Sequence, residues 1–87
     1  MFKDYNLHNE VTIIGRIHDN VKTIDNELLE ITLAVPNDED YESEPNIIKA
    51  YYKDTNSNMF NNIGQAMALI GHIESNNKLI IDVFKLI

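Results

Sequence analysis

Eighty-seven residues with a mass near 10 kDa make one small domain, because a chain of this length buries only roughly 60–65 % of its extended surface and cannot fill two cores. An apolar share of 44 % with 24 % charged residues excludes wholesale disorder and fibrous composition, and the absence of cysteine removes disulfides, thiol nucleophiles and thiolate metal sites, a usage expected of the cytoplasm. Seven bases against fourteen acids give a net charge of −7, which argues against a generic electrostatic grip on nucleic acid, and no apolar run is long enough for a helical membrane span.

Glu10–His18 alternates as a half-buried strand, with Val11, Ile13, Gly15 and Ile17 on one face and Thr12, Ile14, Arg16 and His18 on the other; Gly15 predicts a bulge or a sharp coil. Asp19-Asn20 and Asp25-Asn26 supply turn chemistry before a second strand, Leu28–Val35, whose inner face is Leu29, Ile31, Leu33 and Val35. Residues 36–46 then read as an acidic mobile loop bracketed by Pro36 and Pro45. Asp38, Glu39, Asp40, Glu42 and Glu44 concentrate charge there, leaving nine acids against seven bases elsewhere. Ile47–Lys53 is a third strand rich in β-branched and aromatic residues. Met59, Phe60 and Ile63 predict a helix of one to two turns, ended by Gly64. Gln65–Glu74 alternates again, Ser75–Lys78 makes a short hairpin turn, and Leu79–Ile87 is apolar on both faces except for Asp82 and Lys85.

Three strands, a short helix and two strands in a single domain over residues 1–87 is the element order of the five-stranded OB-fold barrel; an SH3-like barrel or a small α+β sandwich shares much of the pattern. Particular residues carry the reading further. Asn9-Glu10-Val11-Thr12-Ile13-Ile14-Gly15-Arg16-Ile17 resembles the first strand of bacterial single-stranded DNA-binding proteins (SSB). Leu29-Glu30-Ile31-Thr32-Leu33-Ala34-Val35 is similar to that family's second long strand, which leads through a polar stretch to an aromatic residue, here Tyr41. Phe60 with Gly64, followed by Met67-Ala68-Leu69-Ile70-Gly71-His72-Ile73, resembles the family's helix, glycine turn and fourth strand. The likeness runs in order over about residues 9–73, with the PriB-type proteins in the same bracket. It implies an all-β, SSB-like OB-fold, no catalysis, and a homo-oligomer, dimer or tetramer, that wraps single-stranded DNA in replication or repair.

Such binding needs cations for the backbone and aromatic faces for the bases. The cationic candidates are Arg16, Lys22, Lys49 and Lys53; the aromatic ones are Tyr41, Tyr51 and Tyr52, with Phe60 assigned to packing. Tyr52 falls where the family carries a stacking residue, whereas strand parity favours Tyr51, because an outward Tyr52 would turn Lys49 into the barrel. Three features depart from the family: no acidic tail follows Ile87, the last hairpin is short, and Asn62-Ile63 replaces the basic residues expected before Gly64.

The net charge, the acidic loop and the apolar last strand support a second reading: an OB-fold subunit that docks on a polymerase, primase or helicase through Leu79, Ile81, Phe84 and Leu86. No cofactor is expected, since the three glycines form no phosphate cradle and His8, His18 and His72 lack metal-ligand spacing. Twelve asparagines and thirteen isoleucines point to an AT-rich coding sequence such as that of a mobile genetic element.

Overall fold

The computed structural model describes residues 9–25, 27–36, 44–54 and 56–87. Its strands are β1 (Val11–Ile17), β2 (Lys22–Asp25), β3 (Leu28–Val35), β4 (Asn46–Tyr52), β5 (Ala66–Ile73) and β6 (Leu79–Leu86), with one 3-10 turn, Ser57–Phe60, between β4 and β5. The sheet runs β1-β5-β6-β4-β3-β2, and β1 also pairs with β3, so that five strands close into a barrel and β2 lies outside the ring on β3. Every pairing is antiparallel except β4 with β6, where Tyr51 stands opposite Ile80. This is the OB-fold architecture expected from the element order.

Alternation fixes what the barrel encloses. Ile17, Leu29, Ile31, Leu33, Ala50, Met67 and Leu69 are essentially inaccessible to solvent, and each occupies the inward parity of its strand. Closure occurs where β1 passes from β5 to β3: Arg16 is in register with both Ala66 and Ala34, and the His18 amide donates to the Thr32 carbonyl at 2.8 Å. Gly15 sits just before that crossing without a shift in pairing; a Cβ there would lie 2.8 Å from the Ala34 carbonyl oxygen, so glycine permits the close approach of β3. The start of β1 is tied by Asn9, whose side chain donates to the Ile73 carbonyl (2.7 Å) and accepts from the Ile73 amide (2.8 Å), replacing a missing strand partner.

Three expectations differ from what is observed. The short helix is a single 3-10 turn, started by the Asn56 side chain accepting from the Asn58 amide. It buries Phe60 fully but leaves Ile63 58 % exposed beside Gly64, whose φ of 93° ends the segment. Strand β2 forms between the two turn signals, where the sequence reading places no strand; all four of its residues are exposed, so it carries no alternation to betray it. Register shifts lie not at Gly15 but between Thr23 and Asp25 in the β2–β3 pairing and in the last hairpin, where Ile70 faces Val83 and Gly71 faces Ile81, leaving Asp82 as the extra residue.

That bulge reverses the parity of β6. Leu79 and Ile81 point inward before it and Phe84 after it, so Leu79 and Ile81 are core residues at 5 % and 4 % exposure rather than docking residues. Phe84 is half-buried against Phe60 and Tyr52, and of the four only Leu86, at the strand end, is exposed. Strand β4 begins at Asn46, one residue inside the segment expected to be loop, and residues 37–43 of that acidic segment, with Tyr41, lie outside the described residues.

Candidate nucleic-acid interface

Parity on β3 and β4 sets the outer face of the barrel. With Leu29, Ile31 and Leu33 inward, Glu30, Thr32 and Ala34 face out; opposite them in register stand Tyr51, Lys49 and Ile47. Tyr51 is half-buried and Lys49 exposed, so an aromatic ring and a cation share this face. Tyr52 has the other parity: its ring meets Phe84 and Phe60 edge-on, with centroids 5.1 and 5.8 Å away, and it packs against the core.

The residue between the cations is acidic. Glu30 is 9 % exposed because β2 flanks it on one side and β4 on the other, with Lys22 in register on β2 and Tyr51 on β4. Its carboxylate accepts the Tyr51 hydroxyl at 2.9 Å and lies 3.9 Å from the Lys49 ammonium. Burial first, and then this acceptor, push the Tyr51 phenol above its usual range, so the hydroxyl remains the protonated donor. The hydroxyl end of the ring is thereby tied to β3.

Lys78 completes the arrangement. The turn before β6 is closed by the Glu74 amide donating to the Lys78 carbonyl (2.9 Å) and the Asn77 amide donating to Glu74 (2.8 Å), with Asn77 at φ 64°. Because β6 runs parallel beside β4, this turn carries the Lys78 ammonium to 4.9 Å from the Tyr51 ring centroid. Sequence reading missed both Lys78 and Glu30. Lys78 stood out only as a turn residue, since nothing in its neighbourhood announces the β4–β6 pairing; Glu30 had a signal, a lone acid between Leu29 and Ile31.

The remaining sequence candidates lie around this centre. Arg16 is on the outer face beside Ala34, its guanidinium donating to the Gly64 carbonyl at 2.9 Å. Lys22 stands on the exposed strand β2, and Lys53 follows β4, lining an open depression with Asp25, Glu27, Leu28 and Asp54. One register position beyond Tyr51, past Ile80, His72 places one ring nitrogen 2.9 Å from Asp82 and the other 3.2 Å from Glu74. Those two carboxylates, Asp82 first, raise the His72 pKa, and only the imidazolium donates to both. Among the described residues no group of three or more His, Asp or Glu is placed to hold a metal ion.

No protein-family model matches the chain, and no curated protein matches it. Solved structures do. The dimeric N-terminal domain of the PriB protein from Thermoanaerobacter tencongensis superposes with a TM-score of 0.72 at 16 % identity, covering 91 % of this chain and 96 % of that one. A mitochondrial single-stranded DNA-binding protein from S. cerevisiae superposes with a TM-score of 0.62 at 11 % identity, covering 93 % and 97 %. The chain therefore has the OB-fold of the SSB and PriB type.

Proposed function

We propose that this chain is a non-enzymatic single-stranded DNA-binding protein that takes the strand across the outer face of β3 and β4. The observation that carries the reading is the Tyr51 ring, braced by Glu30, with Lys49 beside it and the Lys78 ammonium over it, on the sheet face through which OB-folds commonly bind oligonucleotides. Bases stack against the exposed part of Tyr51, while Lys49 and Lys78, with Arg16, Lys22 and Lys53 at the periphery, neutralise phosphates. Self-association belongs to the same reading and is supported by the dimeric PriB domain that shares the fold. A role in replication or repair fits a protein with this binding mode.

Glu30 sets the strength of the interaction. A carboxylate among the phosphate-binding cations takes up part of their charge, and a chain of net charge −7 adds long-range repulsion, so binding is modest, and it weakens with salt only as far as the few phosphate contacts release counterions. Fluorescence anisotropy of a labelled oligo-dT, titrated at low and moderate salt, tests this. Saturable binding that weakens with salt is expected; no binding at low salt would refute the reading and leave the OB-fold as a docking subunit for a replication enzyme.

A further inference from the structure

Tyr51 belongs to a row of side chains that crosses the sheet. Lys22, Glu30, Tyr51, Ile80 and His72 stand in register on β2, β3, β4, β6 and β5, and in-register partners share a face. Ile80 is only 5 % exposed yet lies outside the core cluster, so it is covered on the outer side of the barrel, between Tyr51 and His72. Two strand spacings, about 10 Å, separate His72 from Tyr51 along this row.

The surroundings of His72 are acidic. Asp82, from the bulge of β6, and Glu74, just past the end of β5, take its two ring nitrogens at 2.9 and 3.2 Å. On the β1 side the charged neighbour is Glu10, exposed and one residue ahead of the Val11–Gly71 pair; on the β4 side it is the Tyr51 hydroxyl, with Lys78 over the ring. Holding two carboxylates takes two donors, and a neutral imidazole has one, so loss of the proton releases one of them. With the proton on, one cation faces two carboxylates; with it off, both stand uncompensated. Glu74 also opens the turn that Lys78 closes, its amide donating to the Lys78 carbonyl at 2.9 Å. The carboxylate that His72 clamps and the ammonium over Tyr51 are therefore the two ends of one hairpin turn.

We propose that His72 is a proton-operated switch on the nucleic-acid interface. As the imidazolium it holds Asp82 and Glu74 and offsets their charge, so that the strand seats on Tyr51 and Lys78. As the neutral ring it leaves two carboxylates at the end of the row, one of them released at the turn that carries Lys78, and phosphates are repelled. The same two carboxylates raise the His72 pKa above its ordinary 6.5, so the switch operates on the neutral side of that value. A unit charge about 10 Å from a phosphate changes affinity roughly twofold in water, so one or two phosphates near the ring give a two- to fourfold effect.

The inference rests on the proposed DNA binding across β3 and β4 and adds its control. Its test is oligo-dT anisotropy at one low ionic strength, at about pH 6 and about pH 8, on the wild type and His72→Gln. The wild type should bind roughly two- to fourfold more tightly at the lower pH, and His72→Gln should show the weaker affinity at both. His8 and His18 remain in the variant, so a pH dependence that persists there would overturn the assignment to His72. Equal wild-type binding at the two pH values would overturn the switch and leave the DNA-binding reading standing; no binding at either would remove both. If the variant does not fold, an NMR titration of the His72 ring in the wild type decides. Added oligo-dT should raise its midpoint by about 0.3–0.6 pH units, the same two- to fourfold preference seen from the proton's side, and an unmoved or lowered midpoint contradicts the switch.

Discussion

At the scale of single residues, the candidate interface is an ion-pair problem laid over an aromatic ring. Stacking on one tyrosine contributes about 1–3 kcal/mol per base, so Tyr51→Ala should weaken oligo-dT binding by roughly 5- to 150-fold, whereas Tyr51→Phe keeps the ring and most of the affinity. An equal loss in the two variants would assign the effect to the hydroxyl and not to stacking. Glu30→Gln preserves an acceptor for that hydroxyl while removing the negative charge; several-fold tighter binding at low salt is expected, and weaker binding would contradict the electrostatic account. His72 gives a stability signal with a defined sign. Its folded pKa lies above the value of about 6.5 of the unfolded chain, so its ion pairs with Asp82 and Glu74 stabilise fully below that pH and the contribution is lost as pH rises through the folded pKa. The melting-temperature difference between wild type and His72→Gln should therefore shrink from about pH 6 to pH 8. A difference independent of pH would contradict it.

At the scale of elements, what the sequence made legible was alternation, and what it hid was everything that interrupts or bypasses alternation. The inward sets of β1, β3 and β5 could be read from spacing alone, as could the placement of Tyr51 beside Lys49, because burying a lysine is costly. The parity of β6 could not, since Asp82 bulges out and a run apolar on both faces reads equally well in either phase. The same bulge explains Gly71: a Cβ there would collide with the Ile80 carbonyl, and Gly71→Ala should cost about 1–3 kcal/mol in denaturant unfolding. The 3-10 turn matters through one residue. Phe60 is fully buried, 5.0 Å from Phe84 between ring centroids, and its removal should cost about 3–5 kcal/mol, a large part of the roughly 5–15 kcal/mol that holds a small domain folded. Lys78 was hidden for a different reason: parallel pairing of β4 with β6 brings together segments 27 residues apart, and no local pattern records it.

At the scale of the whole molecule, the barrel divides its outer surface by chemistry. One side, on β3 and β4, carries the ring and the cations around Glu30; the other, on β1, β5 and β6, carries aliphatic side chains and no described carboxylate in its apolar depression. For an acidic protein to bind an anion, as proposed, attraction must be confined to a small area, and Lys49, Lys78 and Tyr51 lie together within two strands and one turn. The most direct test follows the backbone amides of isotope-labelled protein by NMR while oligo-dT is added at low salt. The account predicts that the largest shifts fall on Glu30, Thr32, Lys49, Tyr51 and Lys78 and that Ile14, Ile70 and Val83 move little; shifts centred on β1 and β5, or none at all, would contradict it.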